Sequence, residues 1–146
     1  MTTDDKIFNC VVIAPQGTLV NCEATSVVFP GHDGFVGILP YHIPMFCQLG
    51  LGIMKIERFS SDQPAKNNIH LLVNKGFLLM CSNTLTAITQ EAISFEGMDA
   101  EKIEQMLGKI RKHLATGTLT KHQQEIEGRK LSLLTGLARL YTEAGV

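Results

Sequence analysis

The hydrophobic pattern changes period once, between Ile93 and Asp99, and that change limits the architectures open to this 146-residue chain. Before it, short runs rich in Val, Ile, Leu, Thr and Phe alternate with turn residues. The runs are Ile7 to Ile13, Thr18 to Ala24, Ser26 to Phe29, Gly52 to Arg58, Ile69 to Val73, Phe77 to Ser82 and Leu85 to Thr89. Between them stand Pro15-Gln16-Gly17, Pro30-Gly31-His32-Asp33-Gly34, Asn74-Lys75-Gly76 and Ser82-Asn83, each expected to turn the chain. Ser60 to Asn68 reads as a polar loop between two strands. Strands at such regular spacing predict an antiparallel β-sandwich or barrel and exclude a βαβ sheet. Several runs are apolar at consecutive positions, as expected of strands that pack something on both faces.

After Gly97 the period is helical. Ile103, Met106, Leu107, Ile110 and Leu114 fall on one stripe. Asp99 suits an N-cap, Glu101 lies in the first turn, and Lys109, Arg111, Lys112 and His113 crowd the last turns, as the helix dipole favours. Thr116-Gly117-Thr118 breaks this helix. A second one is expected with Ile126, Leu133, Leu137 and Leu140 on one face and Leu134, Ala138 and Tyr141 beside it. So short a break makes the helices antiparallel neighbours. The reading is a β-sandwich over residues 1–97 and a C-terminal antiparallel α-helical hairpin over 98–146. Gly128 and Gly136 inside the second helix each cost about 1 kcal/mol relative to alanine. They fit either close helix packing or a helix kept marginal so that it can rearrange.

Composition removes several functional classes. A hydrophobic share of 45% and a charged share of 18% describe an ordinary globular protein. A formal net charge of −1 offers no general affinity for nucleic acid, and an acidic β half with few aromatics is a poor single-strand platform. The charge is divided: residues 1–97 carry five Lys/Arg against eight Asp/Glu, and residues 98–146 eight against six. A basic hairpin on an acidic sandwich suits an acidic partner surface, as it equally suits a solvated helix face. The longest apolar runs fall far short of the roughly 18 residues that span a bilayer, and Met1-Thr2-Thr3-Asp4-Asp5 has no apolar stretch of a targeting signal. The protein is expected to stay in the compartment where it is made and to reach a membrane only through partners.

Chemistry is sparse. Cys10, Cys22, Cys47 and Cys81 form no Cys-x-x-Cys pair and are expected to be reduced packing residues. The five histidines, His32, His42, His70, His113 and His122, show no ligand spacing, so no metal is expected. Gly31-His32-Asp33-Gly34-Phe35-Val36-Gly37 lacks a P-loop ending and reads as a strand-to-strand turn needing positive φ. His42 stands between Pro40 and Pro44 in a stiff extended loop, where a structural hydrogen bond is the expected role. No nucleophile-and-base pair argues for catalysis. A free-standing β-sandwich binding module and a small metal or thiol enzyme are the rival readings.

The segment Val27 to Pro44, containing Gly34-Phe35-Val36-Gly37-Ile38-Leu39-Pro40-Tyr41-His42-Ile43-Pro44, resembles the G-x-x-G-I-L-P-x-H-x-P loop of F-type ATP synthase epsilon subunits. Val11 to Gly17, Leu51 to Ile56, Val73 to Leu78 and the helical tail from Asp99 are similar to the family's pattern in the same order. The resemblance implies a flattened barrel-like sandwich of about ten strands followed by a helical hairpin. It implies a non-catalytic central-stalk subunit whose partners are the gamma subunit, the c-ring and, through an extended hairpin, the alpha/beta catalytic hexamer. The loop with Gly34, Gly37, Pro40, His42 and Pro44 would approach the c-ring. Lys109, Arg111, Lys112, Arg129, Lys130 and Arg139 would be the hairpin's contacts when it brakes ATP hydrolysis. The implied location is peripheral, on the cytoplasmic face of the bacterial inner membrane, a plastid stromal copy being the other option.

Two departures from the family pattern stand out. Tyr41 replaces the usual glycine before the histidine, and Phe35 occupies a frequently acidic position. Some relatives bind ATP through Ile/Leu-Asp-x-x-Arg-Ala; Met98-Asp99-Ala100-Glu101-Lys102-Ile103 keeps Asp99 but has Lys102 without the arginine's planar fork. No cofactor is expected, with ATP only a doubtful regulatory ligand.

Overall fold

The structure is a computed structural model that describes residues 6–59, 68–95 and 100–143, with side chains in the last stretch described for 101–136. The chain divides into two compact units, Met1–Glu96 and Gly97–Val146.

Alternation builds the first unit. In β1 (Phe8–Ala14) every second residue, Phe8, Cys10, Val12 and Ala14, is buried. In β5 (Gly52–Arg58) Gly52, Met54 and Ile56 are the inward residues, as the two-residue period of a strand requires. The other strands are β2 (Gly17–Gly31), β3 (Gly34–Ile38), β4 (Met45–Leu49), β6 (Asn68–Cys81) and β7 (Thr84–Ser94). Antiparallel pairing runs from β1 to β2, β2 to β5, β5 to β6 and β6 to β7. A parallel pairing of β1 with β7 then closes the circuit. Closure gives β1 a partner on each side along most of its length, so it offers no open edge of the kind that invites aggregation. β3 adds to β2, and β4 joins β6 and the end of β2. Phe29, Ile38, Leu49, Ile56, Leu71, Leu78, Met80 and Leu85 fill the centre, each at most 1% exposed.

The described residues hold seven strands, fewer and longer than the expected set of about ten. Two expected breaks are not turns. Thr18 to Ala24 and Ser26 to Phe29 are one strand, β2, which pairs with β1 in its first half and with β5 and β3 in its second, shifting register at Thr25. Asn74-Lys75-Gly76 lies inside β6, whose register with β7 is unchanged on either side. Lys75 (φ 61°) and Gly76 (φ 148°) kink the strand there, as it leaves β5 for β4. A Cβ on Gly76 would drive into the Ile88 carbonyl oxygen, so only glycine fits. Thr89, buried, has its Oγ1 2.9 Å from both the Lys75 and Glu91 carbonyl oxygens and so satisfies backbone that the kink disturbs. Conversely, β3 and β4 were not expected as strands; each is short and flanked by glycine or proline.

The second unit holds α1 (Ala100–Ala115) and α2 (Lys121–Glu143), which contact one another. Gly117 (φ 70°) ends α1 in the left-handed conformation that helix C-termini favour. Thr120 begins α2 with a reciprocal capping box. Its Oγ1 accepts from Gln123 N at 3.2 Å, and Gln123 Oε1 accepts from Thr120 N at 3.0 Å. Ile103, Leu107 and Leu134 are buried, and Met106, Ile110, Leu114, Ile126 and Leu133 are half-buried. The side chains of Leu137, Ala138, Leu140 and Tyr141 lie outside the described set. A Cβ on Gly128 or Gly136 would have nothing within 4 Å, so close helix packing does not require either glycine.

Candidate functional site

Strands have two faces, and the one turned away from the core is apolar on neighbouring strands. Register aligns Gln48, Phe77, Ile88 and Ile13 in one row across β4, β6, β7 and β1, and Phe46, Leu79, Thr86 and Val11 in the next. Phe46, Phe77, Leu79 and Ile88 are 67%, 52%, 46% and 56% exposed. The Phe46 and Phe77 rings stack diagonally with centroids 5.4 Å apart, 17° from parallel, so two large side chains hold one another in place on the outside. Consecutive apolar residues such as Phe77-Leu78-Leu79-Met80 therefore have a split fate. Leu78 and Met80 fill the core while Phe77 and Leu79 face solvent. The expectation that both faces pack holds within this unit for one face only.

A second apolar feature is the β3–β4 connection. Leu39-Pro40-Tyr41-His42 forms a turn closed by the His42 amide donating to Leu39 O at 3.2 Å. Leu39, Tyr41 and Ile43 are 64%, 60% and 74% exposed. His42 makes a local bond, its ring Nδ1 lying 2.8 Å from Ile43 O; a carbonyl there requires Nδ1 to carry the proton. Pro40 and Pro44 flank it and keep both ends of the loop out of the ladder. Gly34 (φ 135°) follows the two-residue His32-Asp33 link of the β2–β3 hairpin, while Gly37 sits in β3 opposite Val28 with open space beside it. His32, Asp33 and Phe35 line a shallow open concavity of about 400 Å³ with Cys47 and Gln48. Phe35 is 71% exposed there.

The hairpin residues separate. Lys109, Arg111, Lys112 and Arg129 are exposed. Lys130 is not: it is buried, its Nζ 3.2 Å from Glu127 Oε1. Residue 130 lies one turn before Leu134, on the stripe withdrawn from solvent in this arrangement. Arg139 and Asp99 lie outside the described side chains. Lys102 is exposed in the first turn of α1.

All four cysteines are free thiols. Cys10 is fully buried, and that burial, with Cys22 opposite it across the β1–β2 ladder, pushes its pKa up to about 12. Cys81, expected to be buried, is exposed, because it ends β6 at the Ser82-Asn83 turn with its side chain outward. Burial, and secondarily the Lys55 ammonium, lowers the His70 pKa. Among the described residues no three His, Cys, Asp or Glu side chains gather closely enough to hold a metal ion, and no helix is long and apolar enough to cross a membrane.

Apolar residues spread over four neighbouring strands, with an apolar loop besides, form an exposed patch of the kind that marks an interaction surface. Fold and surface together define a class: a docking subunit, an all-β body carrying a helical hairpin. Residues 7–95 match the family model described as the ATP synthase delta/epsilon chain β-sandwich domain. The ATP synthase epsilon chain of Leptospira borgpetersenii is 34% identical over 105 residues, covering 72% of this chain and 78% of the relative. That of Carboxydothermus hydrogenoformans is 30% identical over 114 residues, covering 78% and 80%. That of Lactobacillus gasseri is 23% identical over 141 residues, covering 97% and 95%. The chain belongs to the ATP synthase epsilon-chain family. The fold is also that of a chain in the Euglena gracilis mitochondrial ATP synthase OSCP/F1/c-ring structure. There the TM-score is 0.62 at 16% identity, with 92% of this chain and 81% of that one covered. A chain of the Tetrahymena thermophila mitochondrial ATP synthase central stalk and c-ring gives 0.59 at 12% identity, with 89% and 95% covered.

Of the features above, the loop and the exposed basic residues were named from sequence. The apolar face was not, and its signal was the run of consecutive apolar residues in β6.

Proposed function

We propose that this chain is a non-catalytic subunit of the ATP synthase central stalk, coupling ion flow through the c-ring to ATP synthesis and restraining ATP hydrolysis. The observation that carries the reading is the outward apolar face built on Phe46, Phe77, Leu79 and Ile88. Such side chains gain about 25 cal/mol per Å² when a partner removes them from water. The gamma subunit is the partner assigned to this face. The loop with Gly34, Gly37, Pro40, His42 and Pro44 is assigned to the c-ring. Chains in the two mitochondrial assemblies share the fold and come from structures that contain a c-ring. Membrane association then runs through protein partners, on the cytoplasmic face.

The hairpin is the regulatory part. Extended beside gamma, it would present Lys109, Arg111, Lys112 and Arg129 to acidic segments of the alpha/beta hexamer, an attraction that salt weakens. A partner shifts such an element only through contacts that differ between its two positions. ATP is not assigned as a ligand, since Lys102 offers a point charge where a planar fork is needed; a calorimetric titration of the full chain with ATP checks this.

Reconstitution with gamma and the catalytic hexamer tests both halves. Phe77→Asp with Leu79→Asp should abolish co-purification with gamma while the variant still melts cooperatively. Chains ending at Gly97 should assemble but leave hydrolysis unrestrained. Equal hydrolysis rates for truncated and intact complexes would remove the restraining role, and gamma binding by the double aspartate variant would remove the docking role.

A further inference from the structure

The turn Leu39-Pro40-Tyr41-His42 has a proline at its second position and a positive φ of 59° at its third. That combination belongs to the type II turn, whose third residue is normally glycine because a Cβ there is crowded. A tyrosine in this conformation is an outlier. The chain nevertheless places one there and leaves it 60% exposed, between Leu39 and Ile43. Glycine would remove the crowding. Core packing is a weak reason to keep the ring when more than half of it is exposed. A backbone outlier held at an exposed apex points to use of the side chain it displays.

What holds Tyr41 is Asn83, 42 residues away. Its Oδ1 accepts from the Tyr41 amide at 2.8 Å. Its Nδ2 donates to Ile7 O at 2.9 Å, and its own carbonyl accepts from Asn9 N at 3.1 Å. Asn83 thereby ties three segments: the histidine loop, the start of β1 and the β6–β7 turn. The turn imposes a further demand. Ser82 and Asn83 both have positive φ, 51° and 56°, the two-residue connection that asparagine tolerates better than other side-chain-bearing residues. The position needs an acceptor and a donor on one short planar group, in a left-handed backbone. Asparagine meets all of these; aspartate keeps the acceptor alone, and alanine keeps neither.

We propose that Asn83 is the positioning residue of the histidine loop, locking Tyr41 in its left-handed conformation so that the Tyr41 ring forms an aromatic contact with the c-ring. The inference rests on the reading of this loop as ring-facing, and the test separates the two. Amide hydrogen exchange on the full chain reads the lock directly. Asn83→Ala should speed exchange at the Tyr41 amide by about tenfold or more, with the β6–β7 ladder at Phe77 and Leu78 unchanged, while Asn83→Asp keeps most of the protection. In the reconstituted membrane complex, ion pumping per ATP hydrolysed should fall by about threefold in Asn83→Ala and in Tyr41→Gly. Tyr41→Gly should melt no lower than the parent, which rules out misfolding as the cause. Unchanged Tyr41 exchange in Asn83→Ala overturns the lock. Full coupling by Tyr41→Gly overturns the contact. Ile43→Asp serves as the control for the underlying reading: if it too pumps normally, the loop does not engage the ring, and the exchange arm still decides whether Asn83 fixes it.

Discussion

Lys130 reaches back one helical turn to Glu127, Nζ to Oε1 at 3.2 Å, with the two side chains 6% and 18% exposed. A pair so far out of water is sensitive to losing one member, because the survivor keeps its desolvation cost. Lys130→Ala should lower the stability of the helical unit by about 2 kcal/mol, and Lys130→Met with Glu127→Gln should regain most of it. Helical circular dichroism followed through a thermal melt reads both.

Gly76 makes a harsher prediction. Its φ of 148° and the closeness of Ile88 O leave no room for a methyl group against backbone that is itself in the ladder. Gly76→Ala should destabilise the sandwich by about 3 kcal/mol or more, near the upper end for a point change. Urea unfolding gives the number, and a change under about 1 kcal/mol would mean β6 can straighten.

The helix glycines should behave oppositely. A Cβ at Gly108, Gly128 or Gly136 would meet nothing within 4 Å. Alanine at each should stabilise its helix by roughly 0.5–1 kcal/mol, because nothing offsets the glycine's conformational freedom. If the hairpin must rearrange to restrain hydrolysis, the triple variant should also shift how strongly it does so. Melting temperature and steady-state hydrolysis of the reconstituted complex, measured together, test the pair of effects.

The pH dependence has two limbs. Cys10 holds its proton in the fold up to about 12, whereas an unfolded thiol releases it near 9. Its contribution is complete below 9 and is lost as pH climbs toward 12, with a slope of at most about 1.4 kcal/mol per pH unit. Cys10→Ala should flatten that limb. His70 acts at the other end. Its folded pKa is lowered, so stability is present above the ordinary histidine value of 6.5 and declines as pH falls below it. Denaturant midpoints across the range would expose either limb.

Periodicity made part of this molecule readable. Ile103 and Leu107, buried in α1, were placed by a 3.6-residue repeat, and β1 and β5 by short runs of strand-forming residues. Asn74-Lys75-Gly76 misled because its composition is that of a turn, while the β6–β7 ladder carries it through as a kinked strand. β3 and β4 were hidden because five residues beside glycines and prolines give too short a pattern. The docking face was hidden for another reason. A two-sided apolar strand looks the same whether its second face meets its own chain or a partner. Asn83 was legible only as a turn former, since its bonds to residues 7 and 41 exist only once distant strands have met.

The two long strands have a mechanical consequence. β2 and β6 each continue unbroken while exchanging one set of neighbours for another, so neither half of the body hangs from the other by a loop. A twist delivered at the loop end would have to slide whole ladders lengthwise, straining many hydrogen bonds at once instead of peeling them one at a time. A body made this way resists torsion as a stiff collar does, yielding little before it passes the load on.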